Sequence, residues 1–275
     1  MGLNDNIKRL AVIGDPIEHS LSPAMHREFI NLMGEDAEYT KIHVTEDALA
    51  DMMDKVRTGM RGINVTAPHK VAVMEYLDEI SDDARLFGAV NTVVNNGGKL
   101  IGYNTDAKGF YASLLREGID VKDKDVLFFG AGGATKSVCM YLAMNKAKSI
   151  TVINRTKEKA IALGENIKTA IGYEIKTELE LPRYDIVINT TSAGMAPQLD
   201  ALPYNDLDFI EENTVAVDMI YNPPETKFLK LAKGKGARTV NGLGMLICQG
   251  IFAYELFTDT KLPDEAFKRA KEAIS

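Results

Sequence analysis

A glycine-rich turn in the middle of the chain has the composition of a phosphate-binding loop. Gly130-Ala131-Gly132-Gly133-Ala134-Thr135 lies between the apolar run Val126–Phe129 and a helical segment. Glycines let the backbone turn sharply and approach a pyrophosphate, whose charge is stabilised by free amides and the positive end of the helix. Thr135 stands where the usual fingerprint has Gly or Ala, and an ordinary glycine-rich turn is the alternative interpretation. The position between strand and helix favours a dinucleotide site.

The end of the next predicted strand indicates which dinucleotide is bound. An NAD-binding unit usually carries Asp or Glu there, which holds the ribose hydroxyls. This chain has Asn154-Arg155-Thr156 instead. A guanidinium suits the 2′-phosphate of NADP through charge-assisted hydrogen bonds, so NADP is the predicted cofactor. The alternative is a solvated Arg155 beside a Thr156 that only caps the following helix.

A pair of serines forms a second candidate anion site. Ser20 and Ser22 occur in His19-Ser20-Leu21-Ser22-Pro23, where the proline marks the start of a helix. Such a turn offers hydroxyls and amides to an anion. A helix cap is the alternative role for Ser22, but it does not explain Ser20.

The elements that must hold these residues alternate between strands and helices. In the first hundred residues, the apolar runs predict strands at Leu10–Ile13, Tyr39–Val44, Ile63–Val65 and Thr92–Val94. Helix starts are predicted at Ser22, Pro68 and Ser81. Later helices are predicted at about 107–117, from the glycine turn to about Asn145, and at roughly 245–257 and 264–274. Later strands are predicted at Val126–Phe129, Ile150–Ile153, Asp185–Asn189, Val215–Asp218 and Thr239–Val240.

This pattern predicts an α/β protein with two α/β domains that flank a cleft. Residues 1–106, completed by 241–275, form the predicted substrate-binding domain. Residues 107–240 form the predicted Rossmann-type NADP-binding domain. Ligands of such sheets bind at the carboxyl ends of the strands, where the candidate turns are expected to lie.

Composition restricts the class of protein. A formal charge of -7 argues against general attraction to nucleic acid or anionic membrane. The two cysteines and four histidines lack metal-site or disulfide spacing, so no metal is expected and both thiols should be buried and reduced. The segment Met1–Lys8 lacks the apolar run of a signal peptide, and the longest uncharged stretch, Thr239–Tyr254, is shorter than the ~20 apolar residues of a spanning helix. We expect a soluble, cytoplasmic monomer or homodimer with a small-molecule substrate.

Four segments complete a larger pattern: His19–Pro23, Asn64–Lys70, Gly88–Thr92 and Gly102–Asp106. With the glycine turn and Asn241–Met245, they resemble the shikimate dehydrogenase family, in order and over nearly the whole chain. The resemblance implies NADPH-dependent, reversible reduction of 3-dehydroshikimate to shikimate, in the pathway to chorismate and the aromatic amino acids.

The resemblance also implies roles for individual residues. Lys70 and Asp106 match the catalytic pair, and this chemistry needs a group that delivers or removes the hydroxyl proton. The alternative for Lys70 is a surface lysine in the first turn of a helix. Substrate contacts match Ser20, Ser22, Thr66, Asn91, Tyr221 and Gln249. Cofactor contacts match Gly130, Ala131, Gly132, Gly133, Ala134, Asn154, Arg155, Thr156, Lys159, Thr190, Ser192, Met219, Gly242 and Met245, of which the two methionines could equally be core residues.

Other functions stay open at this stage. A quinate/shikimate dehydrogenase of broader specificity could use the same carboxylate and hydroxyl contacts. A non-catalytic nucleotide-sensing protein could share the fold, because fold does not fix function. A binding module needs neither Lys70 nor Asp106, so the pair favours an enzyme.

Overall fold

Two sheets organise the chain in the computed structural model, which describes residues 7–180 and 182–275. One unit contains the described residues up to Thr105 together with Ile247–Ser275. The other contains Asp106–Leu246 and is continuous in sequence. The predicted lack of a signal segment concerns Met1–Lys8, of which residues 1–6 lie outside the described residues.

The first unit is built on a mixed six-stranded sheet. Its strands are β1 (Lys8–Gly14), β2 (Ala37–His43), β3 (Gly62–Val65), β4 (Glu79–Ile80), β5 (Thr92–Asn96) and β6 (Lys99–Tyr103), in the order β2-β1-β3-β5-β6-β4. Strand β1 is parallel to β2 and β3, whereas β5 is antiparallel to β3 and β6. The carboxyl ends of β1, β3 and β6 therefore lie at the same edge as the start of β5.

Five helices belong wholly or partly to this unit: α1 (Ser22–Met33), α2 (Leu49–Gly59), α3 (Asp82–Phe87), α8 (Leu243–Thr258) and α9 (Glu265–Ile274). The apolar side of α2, including Met53 and Val56, packs on Ile13, Ile63 and Val93 of the sheet. Helices α1 and α8 approach closely, because a Cβ at Gly250 would lie 2.2 Å from the Cε of Met25. This contact fixes α8 beside the helix that begins at Ser22.

The second unit has a five-stranded, all-parallel sheet. Its strands are β7 (Asp125–Phe129), β8 (Ser149–Ile153), β9 (Ile186–Asn189), β10 (Val215–Asp218) and β11 (Arg238–Val240), in the order β11-β10-β9-β7-β8. Helix α4 (Asp106–Arg116) precedes the first of these strands, and α5 (Gly133–Met144), α6 (Lys157–Ile171) and α7 (Lys227–Gly234) connect later ones. All carboxyl ends share one edge of this sheet. The predicted α/β class with a Rossmann-type unit is confirmed.

One local prediction is wrong. Pro68 does not open an α-helix, because the Lys70 carbonyl accepts a hydrogen bond from the Val90 amide (2.8 Å) and the chain instead forms a 3₁₀ turn at Ala72–Tyr76. Lys70 is therefore not a first-turn helical lysine. Helix α1 begins at Ser22 as predicted, and the alternative role of Ser22 as its cap is excluded, since Leu21 occupies the cap position and makes no side-chain cap.

The sequence analysis also missed two strands. β4 has only two residues, and β6 pairs with β5 across the Gly97-Gly98 turn. Gly102 interrupts the apolar pattern of β6, because a Cβ there would lie 2.4 Å from the Leu77 side chain. Close packing therefore required a glycine at a position where the sequence pattern is typical of a loop.

Two histidines and both cysteines are buried in the packed interior of the fold. The His26 ring stacks on Tyr39 with centroids 4.0 Å apart, and burial lowers the pKa of His26 to about 3. The His69 Nε2 atom lies 2.6 Å from the Val44 carbonyl oxygen. Cys139 and Cys248 are both buried, as predicted, and neither forms a disulfide with a described residue. Within residues 7–180 and 182–275, no helix is long and apolar enough to span a bilayer, and no three potential metal ligands cluster.

Candidate active site

The serine pair lies where α1 begins. The Ser22 amide donates to Ser20 Oγ at 3.3 Å, and the Ser20 amide donates to the Ile17 carbonyl at 3.1 Å. Because Leu21 supplies no capping side chain, the first-turn amides of α1 have no side-chain acceptor from that position. Hydroxyls and helix amides thus converge on one turn, which suits a carboxylate.

Thr66 and Lys70 follow β3 at the same edge of the mixed sheet. The Thr66 amide donates to Ile13 at the end of β1 (2.9 Å), and a Cβ at Gly14 would lie 2.4 Å from Thr66 Cγ2. The bond from Val90 to the Lys70 carbonyl brings the backbone of Lys70 beside the segment that leads to Asn91. The half-buried Lys70 is therefore held next to the start of β5.

Asn91 holds the segment that ends at the predicted catalytic aspartate. The Asn91 Oδ1 atom accepts from the Thr105 amide (2.8 Å), and Asn91 Nδ2 donates to Thr105 Oγ1 (2.9 Å). Thr105 directly precedes Asp106, the first residue of α4. Asn91 thereby fixes the backbone position from which Asp106 projects.

Two polar residues beneath this edge were missed by the sequence analysis. Tyr39 donates to Asn64 Oδ1 at 2.7 Å, and Asn64 Nδ2 donates to Thr92 Oγ1 at 3.1 Å and to the Asn91 carbonyl at 3.2 Å. Burial raises the pKa of Tyr39, and a hydrogen bond with the Ser22 side chain opposes that rise. A continuous buried polar chain therefore joins Ser22 to the Asn91 segment. The available signal was the polar Asn64 between the apolar Ile63 and Val65.

The remaining predicted substrate residues occupy separate elements. Gln249 lies on α8, one residue before the close contact of Gly250 with α1. Tyr221 belongs to the parallel-sheet unit, and burial raises its pKa.

The glycine turn follows β7 as predicted. Gly130 has φ +109°, a left-handed conformation that favours glycine, and its amide donates to Ile153 at 2.9 Å. A Cβ at Gly132 or Gly133 would meet no atom within 4 Å. The exposed side of the turn therefore has room for a phosphate at the start of α5.

The predicted 2′-phosphate site follows β8. Arg155 and Lys159 are exposed and form no ion pair within the described part of the chain, whereas Lys157 pairs with Glu178. Thr156 holds the N-cap position of α6 but makes no side-chain cap. Two uncompensated cations at the positive end of a helix are unfavourable alone and become favourable when an anion binds.

A buried hydrogen-bond network around Asp218 holds the loops after β9 and β10 in place. The fully buried Asp218 accepts from Asn189 Nδ2 (3.1 Å), the Ile220 amide (3.0 Å) and Thr226 Oγ1 (2.6 Å). Burial raises the pKa of Asp218, which these hydrogen bonds oppose. Asn189 Oδ1 in turn accepts from the amide and hydroxyl of Thr191. The network was not predicted, although it holds the loop that carries Thr190 and Ser192.

Gly242 meets the backbone after β10. Its amide donates to the Ile220 carbonyl at 3.0 Å, and a Cβ there would lie 2.0 Å from the Met219 carbonyl oxygen. Any larger residue would displace Met219, one of the predicted nicotinamide contacts. Met245, the other methionine, is half-buried in the first turns of α8.

Three family models match the chain. Residues 12–93 match the shikimate dehydrogenase substrate binding domain, residues 113–208 match shikimate / quinate 5-dehydrogenase, and residues 242–270 match the shikimate 5′-dehydrogenase C-terminal domain. The shikimate dehydrogenase (NADP(+)) of Methanococcus aeolicus is 44% identical over 268 residues, which cover 95% of each chain.

Solved structures are equally similar. A crystal structure of a shikimate dehydrogenase in complex with NADP+ has a TM-score of 0.92 and 40% identity, over 100% of this chain and 98% of that one. The enzyme of Thermus thermophilus, in complex with NADP(H) and shikimate, has a TM-score of 0.88 and 36% identity, over 97% and 99% of the two chains. The resemblance inferred from the motifs is confirmed, and the chain belongs to the shikimate dehydrogenase family.

Proposed function

We propose that the chain catalyses the reversible, NADPH-dependent reduction of 3-dehydroshikimate to shikimate. The observation that carries the proposal is that each sheet presents its own set of ligand groups at one edge. The mixed sheet presents hydroxyls, amides and a lysine. The parallel sheet presents a glycine turn and the exposed side chains of Arg155 and Lys159. Relatives of this chain that share about 40% identity have the same activity in their names.

The parallel-sheet unit fits NADP. The amides of the glycine turn and of α5 would hold the pyrophosphate, and Arg155 and Lys159 would hold the 2′-phosphate. The loops that carry Thr190, Ser192 and Met219 would hold the nicotinamide end. When bound, the nicotinamide exchanges a hydride with the carbon that bears the reacting oxygen.

The mixed-sheet unit fits a polyhydroxylated carboxylate. Ser20 and Ser22 would bind the carboxylate through the turn at α1. Thr66, Asn91, Tyr221 and Gln249 would contact its carboxylate or hydroxyls. These side chains would determine the orientation of the substrate. A substrate that lacks the matching carboxylate or hydroxyls would leave buried polar groups of the protein unpaired.

Lys70 and Asp106 would handle the proton. In the reducing direction, the Lys70 ammonium donates a proton to the carbonyl oxygen as the alcohol forms. In the oxidising direction, the neutral amine accepts the hydroxyl proton. A carboxylate that accepts a hydrogen bond from the same hydroxyl orients it for the proton transfer.

The cofactor assignment predicts that shikimate oxidation is much faster with NADP+ than with NAD+. Arg155→Ala should weaken NADP+ binding by about tenfold or more, the equivalent of ~1.5–3 kcal/mol for a charge-assisted contact, with little effect on NAD+. Lys157→Ala is the matched control, since Lys157 is nearby in sequence but already paired with Glu178. Equal losses for both cofactors with Arg155→Ala would contradict the assignment.

The catalytic assignment predicts a fall in turnover. Lys70→Ala should lower kcat by roughly 10²- to 10⁴-fold, with a smaller effect on shikimate affinity. Asp106→Asn should also lower kcat, and the double variant should be little worse than the poorer single variant, because the two groups act as a unit. Near-normal turnover with weak shikimate binding would make Lys70 a binding residue only.

Two alternatives have distinct outcomes in the same assay. A matching family model that includes quinate dehydrogenases makes quinate the second substrate to test, with both cofactors in parallel. Comparable kcat/KM for quinate would indicate the broader enzyme. Tight NADPH binding without turnover of either compound would indicate a nucleotide sensor.

A further inference from the structure

Two threonine hydroxyls join the glycine turn to the loop after β9. Thr135, in the first turn of α5, has its Oγ1 atom 2.7 Å from Thr190 Oγ1. The Gly132 amide donates to Thr135 Oγ1 at 3.2 Å, and Thr190 Oγ1 lies 2.7 Å from the Phe129 carbonyl oxygen. Thr135 is fully buried, and all four residues belong to the parallel-sheet unit. Thr135, the residue that departs from the usual glycine fingerprint, thus forms hydrogen bonds with both Gly132 and Thr190.

The directions of these hydrogen bonds follow from the number of protons. The Phe129 carbonyl can only accept, so the single hydroxyl proton of Thr190 is donated to it. Thr135 must then donate to Thr190, while it accepts from the Gly132 amide. The chain therefore runs one way, from Gly132 through Thr135 and Thr190 to Phe129.

Gly130 makes this chain possible. A Cβ at Gly130 would lie 2.5 Å from Thr190 Oγ1, so the hydroxyl rests directly against the glycine backbone. The glycine turn and the 190–194 loop are consequently fixed relative to one another by a short, buried contact. A change at Thr135 should be transmitted to Thr190.

We propose that Thr135 is a positioning residue for the nicotinamide end of the cofactor site, which it controls by holding Thr190 as a hydrogen-bond acceptor. The proposal rests on the proposed binding of NADP. Since the Thr190 proton is donated to Phe129, Thr190 can meet a ligand only through its remaining lone pair. Its partner is then an N–H or O–H group, such as a carboxamide or a ribose hydroxyl, and not a phosphate oxygen.

The test is a cycle of variants titrated with NADPH, whose fluorescence reports binding. Thr135→Val and Thr190→Val should each weaken NADPH by roughly fivefold, the worth of one hydrogen bond. The double variant should match the poorer single variant, because Thr135 acts through Thr190. Thr135→Ser, which keeps the hydroxyl, should bind within about twofold of the unmodified protein. The KM for NADP+ should rise in both valine variants.

Thr151→Val is the matched control. Thr151 is a buried threonine of the neighbouring strand β8, and its hydroxyl has no hydrogen-bond partner within the described residues. The same substitution there should leave NADPH affinity unchanged.

Adenosine 2′,5′-bisphosphate, which lacks the nicotinamide, gives a second measurement. Thr190→Val should keep its affinity for this compound while losing affinity for NADPH. This measurement uses a loop residue and can overturn the proposal even if Thr135→Val does not fold, because Thr135 is proposed to act through Thr190.

Three results would overturn the proposal: multiplied losses in the double variant, normal NADPH affinity in Thr190→Val, or equal losses for both ligands. If the unmodified protein does not bind NADPH, the proposed function itself fails. The two failures are therefore distinguishable.

Discussion

The burial of His26 predicts that acid destabilises the mixed-sheet unit. His26 is 1% exposed, and desolvation lowers its pKa to about 3 from an ordinary value near 6.5. The folded state keeps the ring neutral, whereas the unfolded chain takes up a proton below pH 6.5. Stability is therefore complete above about pH 6.5 and is lost as the pH falls towards 3. The loss is ~1.4 kcal/mol per pH unit, or about 2 kcal/mol at pH 5.

A comparison with His26→Phe isolates this contribution. Phenylalanine keeps an aromatic ring against Tyr39 and Phe29 but has no proton to bind. Urea unfolding at pH 7.5 and pH 5.0, followed by circular dichroism, should show that the unmodified protein loses about 2 kcal/mol more than the variant. Other titrating groups are common to both proteins and cancel. His19→Gln, at an exposed histidine, should retain the original pH dependence. Identical pH dependence of His26→Phe and the unmodified protein would refute the reasoning.

Three further substitutions test the packing around the site, and a fourth tests the buried carboxylate. Tyr39→Phe should lower the free energy of unfolding by about 1–3 kcal/mol, because a buried asparagine oxygen loses its donor. Tyr254→Phe, which removes a buried hydroxyl without a partner in the described residues, should be neutral or stabilising in the same urea titration. Gly242→Ala should weaken NADPH binding and lower the unfolding midpoint, since its Cβ would overlap a backbone carbonyl, whereas Gly234→Ala, with open space around it, should not. Asp218→Asn should lower NADPH affinity and stability together, because an amide nitrogen cannot accept the hydrogen bond that the second carboxylate oxygen receives from Thr226; unchanged calorimetric titrations would contradict this.

Local patterns predicted most of the strands that carry the site, because apolar runs such as Val126–Phe129 are buried on both faces of a parallel sheet. Glycine and proline marked most of the turns for a related reason, since few residues tolerate the required backbone. The polar groups beneath the site were not predictable in this way. Asn64 and Asp218 are single polar residues in apolar strands, and each has a partner that is distant in sequence, Tyr39 for Asn64 and Asn189 for Asp218. Only the folded structure reveals that these partners exist.

The helix predicted at Pro68, which the structure lacks, shows a related limit of sequence-based prediction. Proline, lysine and a following valine-rich segment are compatible with a helix start, and the competing bond comes from Val90, twenty residues later. A local sequence pattern around Lys70 does not include a hydrogen-bond donor that is twenty residues away. The site lysine is consequently positioned by tertiary contacts and not by helical geometry.

Helix α8 has a consequence for the order of folding during synthesis. The parallel-sheet unit is complete once residues 106–246 have left the ribosome, whereas the mixed-sheet unit also needs Ile247–Ser275. The Met25 side chain therefore stays uncovered until Gly250, more than two hundred residues later in the chain, packs against it. The mixed-sheet residues that are made first therefore expose apolar surface until the C-terminal segment has emerged, which favours aggregation of the incomplete unit. A chain truncated after Leu246 should contain a complete parallel-sheet unit and a mixed-sheet unit that lacks Ile247–Ser275.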